Sequence, residues 1–563
     1  MKMTSTPIDY ELCNVNDLKE NEMKVMTVNA FDKEYKILLV KYEDEFYAIG
    51  NKCSHYSLPL TNGVLFKGRI RCFAHGACFN VKTGDIEDFP GNDCLPKYKV
   101  RVNRTTNKVH LEATQEELEL KFRIKKKAKV EIGEEKVKNE KYVIIGGGSA
   151  ALECVETLRE EGYSSNVTVV SAESQTPYDR AKLSKVLDAE LNKILLRDEK
   201  FYEDNQIKFL KNHKVTNVDF NKRQVECENG SRIDYDKLVI ATGLTPSKHK
   251  SIPGDDLNGI FTLRSYDDAK RIVSYQNECK LKKNGGKLNV LLIGTSFIAL
   301  EASTYFIDKA TVTVICRRQP FNSHFGKQVA DKVVNLHESK GVKFLINAKL
   351  EVVEFKPSAS DAKCLGRAIM TDGSIIEADI CLVAIGSKPA TSFLKGSSIA
   401  VNSAGYITVD KYMKTSIDNV YAAGDLITFP RSCIRVSNEE NKNDLINVPH
   451  WQMSHMLGRI AAYSVLDRNI ELKSIPFFWS MNYGKTIRFA GFNDKYDEII
   501  FHDDSVNVNK FVAFYILKNR VIGVSSCDSD PICATVAELM YNDIVIEKDH
   551  IIKDPWGLKI LMK

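Results

Sequence analysis

The chain has 563 residues, more than a single hydrophobic core usually supports, so several domains are expected. Its 79 lysines and arginines nearly balance 74 aspartates and glutamates, and this balance argues against a nucleic-acid partner, which would need a clustered basic face. No apolar run reaches the roughly 18 residues of a membrane span, and the N-terminus resembles neither a signal peptide nor a transit peptide. We therefore expect a cytoplasmic protein whose fourteen cysteines are mostly reduced thiols or metal ligands.

Residues 8–115 alternate apolar and polar side chains in short runs, which predicts a small all-β module. Two of its loops carry one cysteine and one histidine each, Cys53-Ser-His55 and Cys72-Phe-Ala-His75. Two thiolates for one iron and two imidazoles for the other are the ligands of a Rieske two-iron, two-sulfur (2Fe-2S) cluster. Zinc could use the same four side chains, but the short C-x-H spacing and the β-rich host favour the iron–sulfur cluster.

Residues 116–140 are dense in charge and poor in apolar periodicity. Such a composition is typical of a solvated tether between domains. The stretch includes a basic run at residues 121–129, which we do not expect to bind nucleic acid.

A strand that starts at Tyr142 runs into a glycine-rich turn and a helix. The first glycine permits a tight turn, the second lets the backbone approach a pyrophosphate, and a small residue lets the helix pack on its strand. The phosphates would then meet free N–H groups at the helix N-terminus. The following strand ends at Glu173, whose carboxylate can accept a ribose hydroxyl. The predicted dinucleotide contacts in the turn are Gly146, Gly148, Ser149, Ala150 and Ala151.

Two later strands add small residues and a carboxylate to this site. One delivers the turn Ala241-Thr242-Gly243, and the other ends at Gly424-Asp425, where the carboxylate can accept a ribityl or ribose hydroxyl. The predicted dinucleotide-binding domain therefore comprises residues 141–263 and 394–470, interrupted by residues 264–393.

The interrupting segment contains a second strand, turn and helix, with Gly294 at the first glycine position and Ser296 at the second. A serine side chain at that place puts the nicotinamide affinity in question, because the backbone must approach a pyrophosphate there. The next strand ends at Arg317-Arg318 without a carboxylate, which favours NADPH over NADH because arginines can neutralise a 2'-phosphate. Another glycine turn, at Gly386, closes the segment.

The order of these segments resembles that of the FAD/NAD(P)H oxidoreductases with two dinucleotide folds. The block Thr176-Pro-Tyr-Asp-Arg180-Ala-Lys-Leu-Ser-Lys185 resembles the branch of apoptosis-inducing factors and oxygenase-coupled ferredoxin reductases. This resemblance implies that Arg180 lies on the FAD side and that Asp425 holds the ribityl-pyrophosphate region. It also implies that Lys185 approaches the flavin N5 edge and pairs with Glu301, so that these two residues are the expected catalytic pair. It also places Trp451 beside the flavin.

Nearly the whole chain resembles the apoptosis-inducing-factor-like proteins that fuse a Rieske domain to an FAD/NAD(P)H reductase. The implied fold is a multidomain α/β + β architecture: an all-β module, two Rossmann-like three-layer domains, and an α+β interface domain at residues 474–563. The last domain is expected to support a homodimer and to carry no chemistry of its own.

The expected function is electron transfer from NADPH or NADH through FAD to the 2Fe-2S cluster and on to an unknown acceptor. The solvent-facing imidazole edges of His55 and His75 would be the exit. A signalling or scaffold flavoprotein with a weak nicotinamide site is the main alternative, since Ser296 permits it. Direct oxygenation ranks lower, because no convincing set of ligands for a mononuclear iron is found.

Overall fold

The computed structural model describes residues 6–124, 140–248, 252–435, 443–504 and 506–562. Its N-terminal module consists of two antiparallel sheets. In spatial order, the first contains Ile8–Asn14, Lys108–Ala113, Lys97–Asn103, Glu45–Gly50, Lys33–Tyr42 and Glu22–Ala30. The second contains Val64–Phe66, Arg69–Arg71, Cys78–Asn80 and Ile86–Asp88. The two cysteine–histidine loops follow Glu45–Gly50 and Arg69–Arg71, so both sheets contribute to one site.

The first residues of the expected tether belong to the β module instead. Helix Gln115–Glu119 is capped by the Thr114 side chain and buries Leu118. Arg123 donates to the Leu95 carbonyl at 2.9 Å and so returns the chain to the module. Because these contacts hold residues 115–123 on the β module, a solvated segment cannot start at residue 116. The greater part of the predicted tether, residues 125–139, lies outside the described residues.

The first glycine turn belongs to a parallel five-stranded sheet. The strands are, in spatial order, Ile207–Leu210, Val167–Val170, Tyr142–Ile145, Lys237–Ile240 and Val420–Ala422. Helices Ser149–Glu160, Glu199–Asp204 and Trp451–Val465 belong to the same domain. Two small sheets complete it, formed by Val215–Asp219, Gln224–Cys227 and Arg232–Asp234, and by Ile407–Thr408, Ile427–Pro430 and Leu445–Ile446.

The second dinucleotide domain repeats this plan. Its parallel sheet contains Ile260–Phe261, Ile380–Val383, Leu288–Ile293, Ala310–Cys316 and Lys343–Ile346. Its helices are Tyr266–Lys282, Phe297–Phe306, Asn322–Phe325 and Lys327–Glu338, and its antiparallel sheet contains Val352–Ser358, Asp361–Met370 and Ile375–Glu377. The paired strands Leu244–Pro246 and Ser387–Pro389 connect the two domains.

The C-terminal domain is an antiparallel sheet with helices Ile532–Tyr541 and Lys548–Lys553. Its strands are Phe477–Asn482, Lys485–Gly491, Arg520–Cys527, Phe511–Leu517 and Glu498–Asp503. The predicted fold class, an all-β module followed by two Rossmann-like domains and an α+β domain, is confirmed. In the described part of the chain, none of the helices combines the length and the apolar character needed to cross a membrane.

A buried polar network fixes the N-terminal module to the rest of the molecule. Arg71 is fully buried, and its Nε donates to the Glu538 carboxylate of the C-terminal domain at 2.6 Å. The Arg71 Nη1 atom also pairs with Asp88 at 3.2 Å. Asp88 in turn accepts from Gln452 of helix Trp451–Val465 at 2.8 Å. Three domains therefore meet in one charge network, which fixes the orientation of the module.

Candidate active site

A cavity of about 660 Å³ lies where the first glycine turn, the second dinucleotide domain and the strand Phe477–Asn482 meet. Most of the predicted site residues line it: Gly146, Gly148, Ser149, Ala150, Glu173, Arg180, Lys185, Ala241, Thr242, Gly243, Glu301, Gly424, Asp425 and Trp451. Ala151 is buried beneath the turn, where it serves helix packing. The remaining predicted dinucleotide contacts, Gly294, Ser296, Arg317, Arg318 and Gly386, lie outside the cavity wall.

The first turn is a cradle with room for a pyrophosphate. Gly146 has φ = +125°, and a Cβ there would lie 2.2 Å from the Ala241 carbonyl oxygen, so only glycine permits the tight turn. A Cβ on Gly148 would meet no protein atom within 4 Å. Because helix Ser149–Glu160 starts at this point, its free N–H groups and positive dipole end face that open space.

This contrast predicts separate effects of two valine substitutions. We expect Gly148→Val to weaken FAD binding about a hundredfold, or ~2.8 kcal/mol, because the side chain fills the cradle. The melting temperature of the FAD-free protein should stay unchanged. Gly146→Val is the matched control, which should destabilise the FAD-free protein itself. Flavin fluorescence titration and thermal melts of the FAD-free proteins measure both effects, and normal FAD affinity in Gly148→Val would contradict the assignment.

Charged side chains surround the cradle. Arg180 donates to Glu173 at 2.5 Å, and its Nη1 approaches the Arg264 carbonyl at 3.2 Å. Burial, together with the neighbouring Arg180 guanidinium, lowers the pKa of Arg264. A bound anion would relieve this crowding of positive charge. Asp425 accepts from Ser454 at 2.7 Å and keeps its carboxylate in the cavity wall. A cradle, two arginines and a carboxylate together fit FAD.

Lys185 and Glu301 form an ion pair inside the cavity. The Lys185 Nζ atom lies 2.8 Å from the Glu301 carboxylate, and both side chains are largely buried. Ser480 donates to the other Glu301 oxygen at 2.8 Å, and Ser184 also donates to this carboxylate. Glu301, oriented by two serines, therefore holds the Lys185 ammonium at the cavity wall, and these four residues come from three domains.

The second glycine turn has a different chemistry. Ser296 caps helix Phe297–Phe306 by accepting from the Ala299 N–H at 3.4 Å. This long hydrogen bond occupies one of the donors that a pyrophosphate would use. The Arg317 guanidinium pairs with Glu351, a carboxylate that lies far from Arg317 in the sequence. The negative charge of Glu351 therefore competes with a 2'-phosphate for Arg317.

The four predicted metal ligands converge in the N-terminal module. The Nδ1 atoms of His55 and His75 lie 3.1 Å apart, close to the ~3.4 Å expected of two nitrogens bonded to one tetrahedral metal ion. The Cys53 and Cys72 thiols are buried and hydrogen-bonded to each other. Burial lowers the pKa of His75 to about 3, and the positive charges of Arg488 and Lys185 contribute to the shift. The ring is therefore neutral, as metal ligation requires.

This donor set fits a 2Fe-2S cluster, with the thiol pair for one iron and the imidazole pair for the other. In the part of the chain described by the structure, no three His, Cys, Asp or Glu side chains are placed around a single metal position. Two pairs of ligands, one for each iron, are what a Rieske cluster uses.

The predicted solvent exposure of the imidazole edge is wrong for His55. The His55 Nε2 atom is buried without a hydrogen-bond partner, and both imidazoles face Trp479 of the C-terminal domain. The ring centroids of His75 and Trp479 are 4.4 Å apart, and those of His55 and Trp479 are 5.6 Å apart. The reason is the docking of the module, which turns its ligand edge toward the other domains.

The C-terminal domain contributes directly to the site, contrary to the expectation that it carries no chemistry. Trp479 both contacts the histidines and lines the cavity, and Phe478 lines it too. Arg264 was also missed by the sequence analysis. The run Phe477-Phe478-Trp479 at the start of a strand was the available signal, but an aromatic run is more often part of a core than of a site.

Comparison with known proteins agrees with this architecture. Residues 140–449 match the pyridine nucleotide-disulphide oxidoreductase family, residues 9–99 the Rieske [2Fe-2S] domain, and residues 477–562 the reductase C-terminal domain. Apoptosis-inducing factor 3 of Mus musculus is 36% identical over 97% of this chain and 86% of its own length. Rhodocoxin reductase of Rhodococcus erythropolis is 25% identical over 74% of this chain and 93% of its own length.

Among solved structures, a chain of the covalent putidaredoxin reductase–putidaredoxin complex aligns with a TM-score of 0.67. The two chains are 23% identical, and the alignment covers 76% of this chain and 98% of the other, so this similarity supports the fold alone. Together, the domain matches and the sequence identity to apoptosis-inducing factor 3 establish the family. The chain belongs to the FAD-dependent pyridine nucleotide-disulphide oxidoreductases, in the group that carries a fused Rieske domain.

Proposed function

We propose that this protein is an NAD(P)H oxidoreductase that passes electrons within one chain, from its flavin site to its Rieske site and then to an unknown acceptor. The position of Trp479 carries the proposal. Its indole lines the flavin cavity and lies 4.4 Å from the His75 ring, so a single side chain links the two sites. The buried network around Arg71 supports a permanent rather than a transient contact.

The bound cofactors would supply the redox chemistry, hydride acceptance and single-electron release at FAD and one-electron acceptance at the 2Fe-2S cluster. The chain positions and shields them. Lys185, held by Glu301, presents a fixed cation at the cavity wall, and we propose that this pair orients the flavin edge. Phe297 and Phe478, whose ring centroids are 4.7 Å apart, form an apolar part of the wall that helps to exclude water.

Anaerobic titration of the holoprotein with NADPH tests the proposal. The flavin takes two electrons and the cluster one, so complete reduction should require about one and a half equivalents of NADPH. Both the flavin absorbance and the cluster absorbance should bleach. A Cys53→Ser variant, designed to lack the cluster, should stop at about one equivalent. Bleaching of the flavin alone in the wild-type protein would contradict the internal transfer.

The nicotinamide preference is a separate part of the proposal. The two arginines after strand Ala310–Cys316 support NADPH, but Glu351 opposes Arg317. We expect Glu351→Gln to raise kcat/KM for NADPH roughly three- to tenfold, because it frees the guanidinium and removes a like charge from the 2'-phosphate. The kcat/KM for NADH should change little.

A matched control is available for this substitution. Glu354 pairs with Lys356 on the same strand, Val352–Ser358, so Glu354→Gln removes a similar surface pair without involving Arg317. Because both Arg317 and Glu351 are substantially exposed, the gain should shrink as the salt concentration rises. Equal changes for NADPH and NADH would contradict a role in selecting the 2'-phosphate.

Location and assembly complete the proposal. All fourteen cysteines are free thiols or cluster ligands, which supports a reducing compartment, and we propose the cytoplasm. We also propose a homodimer through the C-terminal domain, on the resemblance alone. Fractionation of cells and sedimentation equilibrium of the purified protein test these two points.

A further inference from the structure

Arg488 of the C-terminal domain is bonded directly to the second ligand loop of the Rieske module. It lies on strand Lys485–Gly491, and its side chain is only 10% exposed. The Nε atom donates to the Ala74 carbonyl at 2.9 Å. Ala74 stands between the ligands Cys72 and His75, so a residue distant in sequence holds the backbone that carries two of the four ligands.

The remaining contacts of Arg488 show how far its charge is compensated. The Nη1 atom lies 3.1 Å from the Asp530 carboxylate and 3.4 Å from the Thr486 carbonyl. The guanidinium is also 5.7 Å from the centre of the Phe73 ring, in the same ligand loop. The buried Arg488 guanidinium, paired with the Asp530 carboxylate, therefore lies against the second ligand loop.

The docking of the module keeps this cation in place. Arg71, in the strand just before the ligand loop, is tied to Glu538, and its Nη1 donates to the Gly76 carbonyl at 2.8 Å. Gly76 directly follows His75. The loop is thus held at Ala74 by Arg488 and at Gly76 by Arg71, which leaves little freedom for Arg488 to move away.

We infer that Arg488 is a positioning residue that raises the reduction potential of the cluster held by Cys53, His55, Cys72 and His75. Reduction adds one negative charge to the cluster. A cation fixed close by in a buried setting stabilises that charge more than it would in water. Net charge and hydrogen bonding around the ligands are known determinants of iron–sulfur potentials. In this protein the C-terminal domain therefore tunes a cofactor bound in the N-terminal module.

The test is a mediated redox titration of the isolated holoprotein, followed by the EPR signal of the reduced cluster. Arg488→Gln removes the cation, and we expect the ratio of reduced to oxidised cluster at a fixed potential to fall about tenfold, a downward shift of about 59 mV for a one-electron couple. Asp530→Asn removes the compensating carboxylate and should shift the potential upward. Arg488→Lys keeps the charge and should restore much of the wild-type value.

The opposite signs separate tuning from simple disturbance of the loop. An unchanged potential in Arg488→Gln, or a downward shift in Asp530→Asn, would overturn the inference. If Arg488→Gln fails to retain its cluster, the direction of the Asp530→Asn shift decides alone. The titration uses a chemical reductant and mediators, so it remains informative even if NADPH does not reduce the cluster through the flavin.

Discussion

Replacing Trp479 with leucine should slow electron arrival at the cluster by at least about tenfold, which corresponds to ~1.4 kcal/mol of barrier, while leaving flavin reduction by NADPH nearly unchanged. The indole is the side chain that both lines the flavin cavity and contacts the histidines, at 4.4 Å from the His75 ring and 5.6 Å from the His55 ring. Leucine is smaller and has no π system, so it leaves a gap between the two sites. Stopped-flow spectroscopy at separate flavin and cluster wavelengths measures the two steps.

Two controls accompany this substitution. Trp479→Phe keeps an aromatic ring and should retain most of the rate. Trp556→Leu removes a tryptophan that is 48% exposed near the C-terminus, and it should change neither step. A Trp479→Leu variant whose cluster is reduced at the wild-type rate would exclude this residue from the path.

Glu538→Ala should destabilise the docked molecule by about 3–5 kcal/mol, the typical cost of removing one partner from a buried ion pair. The carboxylate is fully buried and accepts from Arg71 at 2.6 Å, and Arg69 lies 3.4 Å from it. Its loss leaves two guanidinium groups short of a counter-charge between two domains. Denaturant unfolding monitored by circular dichroism measures the change, with Glu498→Gln, which affects an exposed pair with Lys548, as the control.

The same carboxylate predicts a pH dependence. Burial alone would raise the pKa of Glu538, but Arg71 and Arg69 outweigh it and hold the pKa below the usual value of glutamate. A depressed pKa in the folded state contributes stability above the unfolded-state pKa, and that stability is lost as the pH falls through the folded-state value. Glu538→Gln should therefore flatten the acid side of the stability profile. An unchanged acid limb would argue against a charged Glu538 in the folded protein.

Short sequence patterns predicted those parts of the site whose residues are close together in the chain. The turn at Gly146 follows from strand, glycine and helix in sequence, and the metal ligands follow from two cysteine–histidine loops. The pair of Lys185 and Glu301 came from resemblance rather than from spacing, because 116 residues separate them. The structure shows the ion pair, and its catalytic role is part of the proposal.

The relative placement of the modules could not be predicted, because it depends on contacts between surfaces far apart in sequence. From the sequence, Trp479 is indistinguishable from an ordinary core aromatic residue, because only the folded structure places the ligand loops beside it. The His55 edge was expected to face solvent because nothing in the β module indicates what covers it. Arg317 was likewise expected to be free to bind a phosphate, because Glu351 comes close to it only in the folded protein.

Single-turnover reduction of the holoprotein tests the internal transfer most directly. Under anaerobic conditions, sub-stoichiometric NADPH is mixed with the protein at several protein concentrations, and the flavin and cluster signals are followed in time. The structure predicts that the flavin bleaches first and that the cluster follows with a rate constant independent of protein concentration. A cluster rate that rises in proportion to protein concentration, or a cluster that stays oxidised, would contradict transfer within one chain.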